Sequence, residues 1–72
     1  MRRYHAEHAE GATYEAHSLD VLCQAMLAHW GIVAEPSDLA ADMAADPSSP
    51  GALVLDDEGE VLVAIFDMRR AA

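Results

Sequence analysis

Seventy-two residues with 13 acidic and 4 basic side chains make one small domain, formally −9 at pH 7, near the size at which a single core barely suffices. A body of that charge is a poor partner for nucleic acid or an anionic membrane, and a good one for basic protein surfaces and cations. The lone Cys23 excludes a disulfide within the chain, and the longest apolar run, Val61 to Phe66, is too short to span a bilayer.

Residues 2 to 17 predict a β-hairpin. Tyr4, Ala6 and His8 alternate with Arg3, His5 and Glu7; beyond a turn, Ala12, Tyr14 and Ala16 alternate with Thr13, Glu15 and His17. A two-residue Glu10-Gly11 loop pairs Glu7 with Tyr14 and mixes the faces. A three-residue loop, Ala9-Glu10-Gly11, pairs His8 with Ala12, Ala6 with Tyr14 and Tyr4 with Ala16. It sorts small and aromatic side chains from polar ones, and puts Gly11 where such loops require a left-handed residue. The three-residue loop is therefore expected.

From Ser18 to Gly31, Leu19, Leu22, Cys23, Met26, Leu27 and Trp30 recur at three- and four-residue steps and fill an arc of roughly 140°, a core-facing helix stripe. Ser18 is the expected N-cap, Asp20 suits the positive end of the helix dipole, and Gly31 can turn left-handed at the end. Ile32 to Pro36 connects. Ser37 is the expected N-cap of a second helix, Asp38 to about Ala45, which offers Leu39 and Met43 to a core. Asp46-Pro47 ends it and Ser48-Ser49-Pro50-Gly51 reads as loop.

Residues 52 to 68 predict a second hairpin around Asp56-Asp57-Glu58-Gly59. Its strands, Ala52 to Leu55 and Val61 to Phe66, are almost continuously apolar, the pattern of strands covered on both faces. Glu10-Gly11 with Ala16 and Glu58-Gly59 with Ala64 share one spacing, too little for a repeat. The expected architecture is a single α+β domain over residues 1–72, ordered β-β-α-α-β-β. Two hairpins form one antiparallel sheet, with two helices packed on one face. Two short helices cover one side only, so the second hairpin's other apolar face calls for a homodimer partner or a target protein.

Charge placement is the most unusual feature. Arg2, Arg3, Arg69 and Arg70 are the only basic residues, and all 13 acidic residues lie between them, where roughly eight basic residues would be typical of a chain this long. Asp38, Asp42 and Asp46 fall at four-residue steps on the second helix, about 6 Å apart along its axis, a row of like charge suited to lysines and arginines of a partner. Asp56, Asp57, Glu58 and Glu60 crowd the second hairpin turn, which is too tight to wrap a calcium ion. These seven residues are the candidate partner-binding site.

Other chemistry is weakly signalled. Cys23 lies on the apolar stripe, where a thiolate is disfavoured, so packing is its expected role. His5, Glu15 and His17 share the polar face of the first hairpin, and imidazole and carboxylate do bind zinc, but their spacing matches no compact zinc motif. No phosphate loop, catalytic carboxylate pair or Ser-His-Asp order is readable. The expectation is a cytoplasmic protein with no signal peptide, no catalytic site, no cofactor and no bound metal.

The function most consistent with these residues is an inhibitor that docks on a basic, nucleic-acid-binding surface of another protein. The physical design resembles that of nucleic-acid mimics among small phage and mobile-element proteins, including anti-CRISPR proteins, without any likeness of sequence. An antitoxin- or immunity-type partner protein is the alternative, and a homodimeric structural or metal-binding domain a third reading. Adaptation to high intracellular salt would also yield an acidic, lysine-poor surface.

Overall fold

Two copies of the same tight turn set the frame of the molecule. The computed structural model describes residues 3–46, 48 and 51–68. Over these the chain runs β1 (Tyr4–His8), β2 (Thr13–Ala16), α1 (Leu19–Trp30), α2 (Pro36–Ala45), β3 (Gly51–Leu55) and β4 (Val61–Asp67). Arg2, Arg69 and Arg70, and the loop residues Pro47, Ser49 and Pro50, lie outside the described residues.

In the β1–β2 turn, the His8 amide donates to the Ala12 carbonyl at 2.7 Å and the Gly11 amide to the His8 carbonyl at 2.8 Å. In the β3–β4 turn, the Asp56 amide donates to Glu60 at 2.9 Å and the Gly59 amide to Asp56 at 3.1 Å. Gly11 and Gly59 take φ of 100° and 81°, the left-handed region that closes a three-residue loop. The first residue of each turn also uses its side chain: His8 Nδ1 accepts from the Glu10 amide and Asp56 Oδ1 from the Glu58 amide. The shared Glu-Gly spacing thus marks a shared turn.

The turns fix the registers. Tyr4 opposes Ala16, Ala6 opposes Tyr14 and His5 opposes Glu15, the pairing expected from the three-residue loop. β1 and β4 then pair in the middle of one antiparallel sheet of order β2-β1-β4-β3. The order β-β-α-α-β-β is as the sequence predicts.

One side of the sheet meets the helices. Tyr4, Ala6, Ala16, Ala52, Val63 and Ile65 are buried there with Leu22, Cys23, Met26, Ile32, Leu39 and Met43. Leu22, Met26, Ile65 and Val63 are sealed completely; burying each such side chain contributes about 1.5–3 kcal/mol. α1 lies over the first hairpin, its end held by ring contacts of Trp30 with His8 and His29 with Tyr14, while α2 packs on β3. No helix among the described residues is long and apolar enough to cross a membrane.

Three local expectations need correction. Leu27 is 55% exposed and Ala25 is buried instead, because the sealed Leu22 and Met26 rotate the stripe away from Leu27. The N-cap of α2 is Glu35, not Ser37: proline lacks the amide hydrogen that the first helical position leaves unpaired, so Pro36 starts the helix. Finally, Gly51 does not belong to the loop before the second hairpin but opens β3, opposite Phe66. Within β4, Val63 and Ile65 are buried, while Ala64 and Phe66 are only partly so, because both helices lie on one side; Leu62, at a shift of register opposite Val54 and Leu55, packs against the core.

Candidate functional site

The seven acidic residues singled out by the sequence separate into three settings. Asp38 and Asp42 are exposed on consecutive turns of α2. Asp38 is in the first turn, where the amide ends of the helix favour a carboxylate; Asp42, a turn further on, gains little from them. Asp46 follows the helix as its C-cap, with φ −130° and ψ 88°. Its Oδ1 accepts from the Ser48 amide at 3.2 Å and the Ser48 hydroxyl at 2.6 Å. The helical row is therefore two residues long, and the third carboxylate is engaged in shaping the turn after it.

The hairpin tip divides in the same way. Asp56 is half-buried, and its Oδ1 accepts from the amides of Glu58 at 2.8 Å and Glu60 at 2.9 Å. That carboxylate organises the turn. Asp57, Glu58 and Glu60 are exposed around it and present charge outward. The sequence could not separate Asp56 from its neighbours by charge; its place as first residue of the turn, four before Glu60, is the signal that could have.

The face of the sheet away from the helices is a feature the sequence anticipated only in outline. Cross-strand pairs share a face, so Glu7 opposite Thr13 and His5 opposite Glu15 form its polar half. Leu53 opposite Ala64, Leu55 opposite Val61 and Gly51 opposite Phe66 form its apolar half. Leu53 is 54% exposed and Leu55 51%. His5 Nδ1 lies 3.5 Å from Glu15 Oε1, and the His5 ring is 6.3 Å from that of Phe66, so the two halves meet at His5.

His17 does not join His5 and Glu15. It lies beyond the end of β2, beside Ser18, Asp20 and Ser37 in an open hollow of about 390 Å³ between the starts of the two helices. Among the described residues, no three histidine, cysteine or acidic side chains come together as a metal-binding group. Cys23 is buried, and burial first, then the charges of Asp20 and Glu35, push its thiol pKa above the ordinary value. A group so held stays protonated and is a poor nucleophile.

Of the acidic side chains only Asp56 and Asp67 are shielded; the other carboxylates are exposed, and Arg3 is the one arginine among the described residues. No protein-family model, characterised protein or solved structure matches the chain.

Proposed function

We propose that this protein acts by binding, as an acidic inhibitor that occupies a basic, nucleic-acid-binding surface of a target protein in the cytoplasm. The supporting observation is the exposure of Asp38, Asp42, Asp57, Glu58 and Glu60 on two projecting elements, the side of α2 and the β3–β4 tip. Carboxylates spaced about 6 Å apart along a helix offer lysines and arginines a row of charge comparable to a nucleic-acid backbone. Opposite fields raise the rate of encounter and reject acidic partners.

An antitoxin- or immunity-type role shares the same targets' basicity but draws affinity from apolar contact, and the exposed Leu53 and Leu55 favour giving it a place. A homodimer through the second hairpin is the competing use of that apolar face. The test is capture of a target from host lysate, followed by competition with duplex DNA and with RNA. The inhibitor reading expects a captured protein that binds nucleic acid and gives it up as this protein is added. A target without a basic surface, or one that holds both ligands at once, overturns it.

A further inference from the structure

One face of the sheet lies under the helices, and the described residues leave the other bare. Cross-strand pairing lays that bare face out in rows. Thr13, Glu7, Ala64 and Leu53 form one row across the four strands, and Glu15, His5, Phe66 and Gly51 form the next. Toward the β3–β4 tip, Leu55 stands opposite Val61. Each row changes character between β1 and β4. Glu7 and Glu15 are exposed on the β1–β2 side, while Leu53, Leu55 and Val61 are 54%, 51% and 43% exposed on the β3–β4 side.

The apolar half has the footprint of one helix. It is two strands wide, about 10 Å, and a helix with its side chains is about 10–12 Å across. The length of β3 is about 17 Å, roughly three helical turns. Its relief fits as well. Gly51, without a side chain, lies beside Phe66, and Ala64, with only a methyl, lies beside Leu53. Large and small positions therefore alternate, leaving low ground for the ridge of a helix. Carboxylates border this ground: Glu7 is the β1 neighbour of Ala64, and Glu60 directly precedes Val61.

We propose that the bare face is the docking surface for an amphipathic helix of the target protein. Its apolar stripe would lie over Leu53, Leu55 and Val61, with lysines or arginines along the flank that meets Glu7 and Glu15. This rests on the inhibitor reading, which makes the target basic, and names the part of the target that is held. The bound helix forms a third layer, opposite the two helices of the chain itself. Charge selects this occupant over a second copy. Within the strands, the face holds no basic side chain but His5, which already lies 3.5 Å from Glu15. Two copies stacked with like halves together bring Glu7 and Glu15 against the same carboxylates of the other. Stacked with the halves crossed, they bury those carboxylates over leucines. Either arrangement crowds or desolvates negative charge.

The test uses the full chain with two end-blocked peptides of about 18 residues, long enough to hold a helix. Both have the same content of lysine, leucine and alanine. In one, leucine recurs at three- and four-residue steps; in the other, the order is shuffled so that no stripe forms. The striped peptide is expected to shift the amide resonances of Leu53, Val61 and Ala64. Its affinity should fall at least about tenfold as ionic strength rises from about 0.05 to about 0.5 M. Leu53→Arg and Leu55→Arg each change an exposed side chain, so circular dichroism should stay native while affinity falls at least about tenfold. Glu7→Gln with Glu60→Gln should weaken binding more than Asp38→Asn with Asp42→Asn, which removes equal charge from α2 on the covered side.

Equal binding of the two peptides, no binding, or shifts confined to α2 overturn the proposal. So do folded Leu53→Arg and Leu55→Arg proteins that bind as the unchanged protein does. Shifts of Leu53 and Val61 that appear without peptide and grow with protein concentration overturn it in favour of a second copy. A captured target separates this proposal from the inhibitor reading. If Leu53→Arg protein still releases its nucleic acid, this face is not the grip, while the inhibitor reading stands. If the unchanged protein binds the striped peptide here but releases no nucleic acid, the inhibitor reading falls and the docking face stands.

Discussion

Gly51 stands opposite Phe66, where β3 leaves no room for a side chain against β4. A Cβ built there would collide with the Ile65 carbonyl oxygen and lie 2.7 Å from its carbon, both main-chain atoms that cannot swing aside. Gly51→Ala must push β3 off its neighbour, at a cost of about 1–3 kcal/mol or more. In a domain whose whole stability is on the order of 5 kcal/mol, the urea midpoint should drop sharply. An unchanged midpoint would mean that β3 does not pair closely at its start. Cys23 makes a different point at the same scale. Its thiol pKa is raised in the fold by burial and the nearby Asp20 and Glu35, so the native state keeps the proton longer than the unfolded chain. The contribution is intact below the ordinary thiol pKa and is lost as pH rises through the window between the two values. Stability should therefore decline with alkaline pH more in the native protein than in Cys23→Ala, which itself should cost about 1–2 kcal/mol. Native protein should also resist thiol reagents; rapid labelling would show the sulfur to be accessible.

Among the elements, α2 tests most directly how charge is used. Replacing Asp38, Asp42 and Asp46 by asparagine removes one repulsive pair on the helix, Asp38 with Asp42, each pair opposing the helix by a few tenths of a kcal/mol. Asparagine at position 46 can still accept from Ser48, as the aspartate does. Folding stability should change by no more than about 0.5 kcal/mol. Association with the captured target should slow, and its rate should depend less on salt, because steering by opposite fields acts on encounter. A surface that is acidic only as an adaptation to high salt would bind unchanged after the same substitutions. Where binding draws mainly on apolar contact, as in the antitoxin-type reading, Val63→Glu would harm it more than the triple change. Val63 is fully buried, so that comparison counts only if circular dichroism shows the variant folded.

For the molecule as a whole, the sequence by itself determined a great deal. Period-two alternation around Gly11 gave the register of the first hairpin, because a slip by one residue would bury His5 and Glu15 and expose Tyr4 and Ala6. The three- and four-residue recurrence from Leu19 to Trp30 gave α1 together with both caps: Ser18 accepts from the Val21 amide at 3.2 Å, and Gly31 turns left-handed at φ 66°. Element order and the one-sided helical cover followed from these local patterns. What only the tertiary structure decided is which identical residue types do different work. Asp56 holds a turn and Asp57 beside it does not; Asp38 and Asp42 are exposed on a helix while Asp46 closes it. The strand order β2-β1-β4-β3 was equally hidden, since pairing β1 with β4 joins segments from opposite ends of the chain and leaves no periodic trace in either. That pairing makes β3 an edge and leaves Leu53 and Leu55 bare. Local periodicity records the face a side chain takes within its own element; contacts between distant elements decide what that face meets.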